Sequence, residues 1–273
     1  MLNQRIVLPE TGVNLVTYLT NNDALEGKYI AGTMHDFDRK RPMVLVFPGG
    51  GYSRRSPREA EPIALRLLAY GIQAVIVEYS CAPARYPTAL KEAGEAVAYC
   101  RAHAEEWHAD PNKIAVLGFS AGGHAAGSIG ILWERLNMGD VCRPDAMILC
   151  YPVITGGEHA HRGSFKNLLG DKHDEMIEFV SLEKHVKPNT PPTFLWHTWE
   201  DETVPVENSL LLACALRGAG VGCEMHIYQK GKHGLSLSNE ECFPVNAPNM
   251  RPECQNWIDM AARWLKELNT SKE

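Results

Sequence analysis

Six short apolar runs punctuate the chain at residues 43–47, 74–79, 114–117, 146–151, 193–196 and 223–228, and few architectures accommodate that spacing. Most are continuously apolar rather than alternating, as strands are when helices cover both of their faces. Between them lie amphipathic stretches of helical length at about 58–70, 88–107, 122–137 and 206–219. A last stretch at about 253–268 carries Trp257, Ala261, Trp264 and Leu268 on one stripe. Gly71 and Gly220 stand where helix C-caps belong. Strands alternating with helices predict an α/β fold with a mostly parallel central sheet, right-handed crossovers and flanking helices. The alternating segment 14–20 is expected to begin the sheet as an antiparallel edge.

The 273 residues, 45% hydrophobic and 22% charged, suit one large globular unit. No low-complexity tract, charge block or repeat marks a linker, so 1–273 reads as a single domain. The region 154–192 breaks the rhythm. It is polar, carries Gly156-Gly157, and holds short helical pieces near 165–169 and 174–179. An insertion there covers the carboxyl edge of the sheet, where ligands bind, and is expected to act as a partial lid.

Composition narrows the partners. Twenty-seven basic against 33 acidic residues give a net charge of -6, which argues against nucleic acid. The first nine residues lack the apolar core and cleavage site of an export signal, so a cytoplasmic location is expected. No run approaches the roughly 20 apolar residues a membrane helix needs. The eight cysteines are scattered without a Cys-x-x-Cys pair and read as buried, reduced thiols. Eleven histidines show no metal-binding spacing; His159 and His161, close together in a polar loop, are not expected to hold a metal. No cofactor is expected either, and a homo-oligomer is left open.

Chemistry enters at Gly118-Phe119-Ser120-Ala121-Gly122, placed between an apolar run and an Ala/Gly-rich helical stretch. The pentad alone is a weak signal. Strand, tight turn and helix around it make it a strong one, because such a turn lifts a serine hydroxyl above the carboxyl edge of the sheet. A serine hydroxyl needs a base within hydrogen-bond reach, itself oriented by a carboxylate. In sheets of this kind the chain order is serine, acid, histidine. Asp201 lies in the turn after run 193–196, with Glu200 and Glu202 as competitors, and Val204-Pro205 lead into the next helix. His233 follows the next run in a loop flanked by Gly231 and Gly234. His124, His197 and His226 fit worse, since the first lies along the helix after Ser120 and the others inside strands. Donors for an oxyanion are supplied by the loop Pro48-Gly49-Gly50-Gly51-Tyr52 and by the N–H of Ala121. Phosphate binding by this loop is disfavoured, because Arg54 stands where Gly-x-Gly-x-x-Gly needs its last glycine.

The glycine loop, Tyr79-Ser80-Cys81-Ala82-Pro83, Gly-x-Ser-Ala-Gly-Gly-His, His-Thr-x-x-Asp-x-x-Val-Pro and Lys-x-His-Gly together resemble the α/β-hydrolase superfamily. Within it the chain is similar to the acetyl xylan esterase and feruloyl esterase-like branch, near the hormone-sensitive-lipase-like esterases. The similarity runs over about residues 40–265. It implies Ser120, Asp201 and His233 as a triad, with Gly49, Gly50 and Ala121 as oxyanion donors. Pro48 stands where lipase-like relatives have histidine, and Cys81 where an apolar residue is common. The resemblance implies a serine esterase removing short acyl groups, acetyl foremost, from sugars or xylo-oligosaccharides. Tyr52 and Trp199 flank the site loops as candidates to stack on a sugar ring, with simple packing as the equal alternative. Rival expectations are an amidase, such as a kynurenine formamidase-like enzyme, a peptidase with the same triad, or a non-catalytic ligand-binding relative.

Overall fold

The computed structural model describes residues 1–20, 40–245, 247 and 250–268. Eight strands form one sheet in the order β1-β2-β4-β3-β5-β6-β7-β8. They are β1 (Arg5–Val7), β2 (Asn14–Tyr18), β3 (Arg41–Phe47), β4 (Gln73–Val77), β5 (Ala109–Phe119), β6 (Ala146–Cys150), β7 (Thr193–Thr198) and β8 (Cys223–Tyr228). From β4 to β8 neighbouring strands run parallel, and β1 and β2 join antiparallel. The expected antiparallel start is thus present, but β1 rather than β2 forms that edge. Three residues were too few to stand out in the sequence. The opposite edge is β8.

Strand periodicity distributes side chains to two cores. Met43, Leu45 and Phe47 of β3 point into one apolar cluster, while Val44 and Val46 point into the other. The first cluster is closed by α2 (Thr88–Ala102), α3 (Ala121–Leu132) and α6 (Glu207–Gly218). The second is closed by α1 (Glu61–Ala69) and α7 (Trp257–Glu267). This two-sided covering is why most of the runs read as continuously apolar.

Helix ends differ from the expected limits where tertiary contacts intervene. Residues 103–107 leave α2 as a turn in which His103 stacks between Tyr99 and Trp107, with centroids 4.0 and 5.4 Å away. The buried face of α7 is Trp257, Ile258, Ala261, Ala262 and Leu265; Trp264 is half-buried against Phe194, and Leu268 lies past the helix end. All eight cysteines are free, but Cys214 on α6 and Cys223 at the start of the edge strand are exposed, against expectation.

The insertion carries α4 (Arg162–Leu169) and α5 (His173–Met176). It is docked rather than loose. The Tyr86 N–H donates to Leu168 O at 2.8 Å, and Asn167 Nδ2 donates to Gly51 O at 2.8 Å. Among the described residues no helix is long and apolar enough to cross a membrane.

Candidate active site

Ser120 occupies the junction of β5 and α3 with φ +54° and ψ -120°, a strained conformation for a residue with a side chain. The turn is tight enough that a Cβ on Gly122 would stand 2.1 Å from Phe47 O and 2.4 Å from Pro48 O. Only glycine lets strand β3 and the start of α3 approach so closely. The Ser120 N–H donates to Cys150 O at 3.1 Å, and its carbonyl accepts the Val153 N–H at 3.0 Å, which pins the turn to β6 and the segment after it.

His233 sits in the loop after β8, with its Nε2 2.8 Å from Ser120 Oγ and its Nδ1 2.6 Å from Asp201 Oδ2. A carboxylate only accepts, so Nδ1 carries the proton and Nε2 receives the Ser120 O–H. The geometry therefore sets the tautomer that can deprotonate the serine. Asp201 follows β7, and its Oδ1 accepts the N–H groups of Thr203 and Val204 at 3.0 and 2.9 Å. Burial alone would raise its carboxyl. Hydrogen bonds from His197, His233 and the Val204 N–H outweigh that and hold it well below the usual carboxylate range. Glu200 instead accepts the Gly231 N–H at 3.3 Å, and Glu202 is exposed.

His197, inside β7 as expected, is a neighbour of Asp201. Its Nε2 donates to Val204 O at 2.9 Å and lies 3.3 Å from Asp201 Oδ2, while its Nδ1 accepts the Ser209 hydroxyl at 2.8 Å. His124 is buried as expected, with Nε2 donating to Val180 O and Nδ1 accepting the Tyr52 hydroxyl at 2.8 Å. Burial pushes its imidazole down to about 4, so it is neutral.

The expected oxyanion donors divide. Among the described residues the amides of Gly50 and Ala121 have no hydrogen-bond partner. Gly49 is a correction, because its N–H donates to Glu59 Oε2 at 2.9 Å. A Cβ there would lie 2.6 Å from that oxygen and 2.8 Å from Phe119 O, so glycine at 49 serves close approach instead. Of the two candidate stacking aromatics, Tyr52 is also a correction. Tyr52 is buried against His124 and Tyr79, and Trp199 is 63% exposed; neither lines the cavity.

That cavity, about 330 Å³, opens above Ser120 and His233. Its wall mixes polar and apolar surface, with the polar side chains of Ser53, Arg54, Arg58, His161, Asn167 and Thr203 among the lining residues. His161 caps α4: its Nδ1 accepts the Ser164 hydroxyl at 2.7 Å, leaving an Nε2–H donor with no partner among the described residues. Burial, with His233 nearby, pushes this imidazole below its ordinary range. Among the described residues no three His, Cys, Asp or Glu side chains gather as a metal requires.

A nucleophile, a correctly protonated base, an orienting carboxylate and two free amides can together support acyl transfer. The family model BD-FAE matches residues 34–216. The chain is 38% identical over 221 residues to endo-1,4-beta-xylanase B of Butyrivibrio fibrisolvens, covering 77% of this chain and 35% of that protein. It is 32% identical over 237 residues to an acetylxylan esterase of Xylanibacter ruminicola, covering 84% of this chain and 46% of that one. This chain thus spans less than half the length of both. Among solved structures, an acetyl ester-xyloside bifunctional hydrolase from Caldicellulosiruptor lactoaceticus superposes with a TM-score of 0.80 at 36% identity, covering 96% of this chain and 95% of that one. The carboxylesterase Cest-2923 of Lactobacillus plantarum superposes with a TM-score of 0.84 at 26% identity, covering 98% of each chain.

Proposed function

Because the chain belongs to the BD-FAE family and has the α/β-hydrolase fold, we propose that it is a serine carboxylester hydrolase releasing short acyl groups, acetyl foremost, from sugars or xylo-oligosaccharides. The observation that carries the reading is the unbroken line from Asp201 through His233 to Ser120, at 2.6 and 2.8 Å.

Ser120 Oγ attacks the ester carbonyl carbon as its proton passes to His233 Nε2. The imidazolium faces the Asp201 carboxylate. The carbonyl oxygen becomes an oxyanion that the Gly50 and Ala121 amides receive, each such donor being worth about 3 kcal/mol in the transition state. The ester C–O bond then breaks, and His233 gives its proton to the departing alcohol oxygen. Water attacks the acyl-serine, passes a proton to His233, and the acid leaves as Ser120 regains its hydrogen.

The cavity supports a small, hydroxyl-bearing substrate. A wall of arginine, serine, threonine, asparagine and histidine suits an alcohol rich in hydroxyls better than a long alkyl chain. The His161 Nε2–H offers one such hydroxyl a neutral donor. The names of two relatives, an acetylxylan esterase and an acetyl ester-xyloside bifunctional hydrolase, support this chemistry.

The test measures release of acetate from p-nitrophenyl acetate and from acetylated xylo-oligosaccharides, beside p-nitrophenyl octanoate and an acetanilide. The two-carbon esters are expected to have the higher kcat/KM, and Ser120→Ala to lower kcat by about 10⁴ or more with the fold intact. Near-normal turnover by that variant refutes the nucleophile. Preference for octanoate or for the anilide refutes the substrate class.

A further inference from the structure

Glu59 takes no part in the steps above, yet it is a charged side chain only 3% exposed beside the cavity. A buried carboxylate is costly unless donors meet its oxygens. Here they do. Oε2 accepts the Gly49 N–H at 2.9 Å, and Oε1 accepts the Tyr151 hydroxyl at 2.7 Å. The Tyr151 oxygen in turn accepts the N–H of Ser236, three residues beyond His233, at 2.8 Å. A second tie joins the same places, because Ser236 Oγ donates to Arg58 O at 2.6 Å. Residues 58 and 59 therefore hold the glycine loop on one side and the histidine loop on the other.

Backbone conformation marks the same spot. Tyr151 at φ +37° and Ser236 at φ +51° occupy the left-handed region without being glycine. A bulky residue stays there only when its surroundings over-determine it. The Tyr151 ring also meets the His233 ring edge to face, with centroids 5.1 Å apart.

We propose that Glu59, acting through Tyr151, is a positioning residue that sets the oxyanion loop and the His233 loop in register with each other. The Gly49 N–H lies in the Pro48–Gly49 peptide, one peptide before the Gly50 amide, so holding it anchors the start of the glycine run from which the Gly50 amide is aimed. Without the carboxylate the loop keeps the ties to its carbonyls from Ser53, Arg54, Ser56 and Asn167 but loses the one on its first amide, and glycine gives that peptide wide conformational freedom. Oxyanion contacts strengthen in the transition state, so the loss belongs in kcat rather than KM. The inference rests on the hydrolase reading, since it requires the Gly50 amide to meet an oxyanion.

Three full-length variants test it: Glu59→Ala, Glu59→Gln and Tyr151→Phe. Glu59→Ala is expected to lower kcat on p-nitrophenyl acetate about 100-fold, as loss of an oxyanion donor does, with KM within about threefold. Glu59→Gln keeps an acceptor for Gly49 but turns a donor toward Tyr151, so its loss is smaller, about tenfold. Tyr151→Phe is expected to match it. The Glu59→Gln/Tyr151→Phe pair should fall little further than the worse single change, because both break one connection.

A fluorophosphonate reads the relay without any ester: a Ser120 Oγ–P bond forms, the P–F bond breaks, His233 takes the serine proton, and the phosphoryl oxygen sits among the oxyanion donors. Its labelling rate is expected to fall in parallel with kcat. If Glu59→Ala does not fold, the other two variants carry the test. Should folded Glu59→Gln and Tyr151→Phe retain kcat and labelling within twofold, the proposal is overturned. It is equally overturned if KM rises with kcat held, or if kcat falls while labelling does not. A wild-type protein that hydrolyses no ester refutes the functional reading instead, and the labelling rates then decide the relay alone.

Discussion

Asp201 shows how much of a site one carboxylate organises. Two backbone amides fix Oδ1, while Oδ2 faces His233 and lies near His197. Asp201→Asn would set an amide N–H against the His233 Nδ1–H or force the other tautomer, removing the proton acceptor from beside Ser120. A fall in kcat of about 10³ to 10⁴ is expected, with circular dichroism unchanged. Steady-state kinetics on p-nitrophenyl acetate check it, and a loss under tenfold would reject Asp201 as the group that orients His233. Ser120, Asp201 and His233 were readable from sequence because each sits in a local pattern, a turn or glycine-flanked loop, and the three follow a fixed chain order. Glu59 had no such pattern. Its partner Tyr151 is 92 residues away, and a glutamate in a Pro-Arg-Glu turn looks like an ordinary helix start. Tyr52 was misplaced for a related reason: an aromatic after a glycine loop can turn outward or inward, and only the buried His124 decides which.

Elements hold these residues through contacts that periodicity foretells only in part. The stripe on the last helix announced burial, and α7 is amphipathic as read. What the stripe does not reveal is that Trp257 stacks on Trp196, centroids 5.3 Å apart, and donates its Nε1–H to Ser236 O at 2.9 Å. One side chain thereby joins the helix to the sheet and to the loop carrying His233. Trp257→Ala is expected to destabilise the protein by about 3–5 kcal/mol, as large-to-small changes of buried aromatics do. Urea unfolding measures it; a cost below about 1 kcal/mol would mean that the helix does not depend on this contact. The insertion after β6 was visible as a break in rhythm, but its docking onto Gly51 and Tyr86 was not, because those partners lie some 80 to 120 residues earlier.

The whole molecule responds to acid through its buried imidazoles. Unfolded, His124 takes up a proton as pH falls through about 6.5, whereas folded it stays neutral down to about 4. Between those values the unfolded state binds more protons, so stability declines as pH drops. At about 1.4 kcal/mol per pH unit the window is worth about 3 kcal/mol. His161 and His185, also pushed downward chiefly by burial, add to the slope. Asp201, held low when folded, adds a further decline only below the ordinary carboxylate range. Unfolding free energies from pH 7 to 4.5 should show the slope, and His124→Asn should flatten it; parallel curves would reject the assignment. The sheet order has a last consequence. Ser120 hangs from the central strand β5, whereas His233 follows the outermost strand β8, and edges open locally at lower cost than centres. Gentle warming should therefore silence the molecule before its sheet melts, and cooling should wake it again.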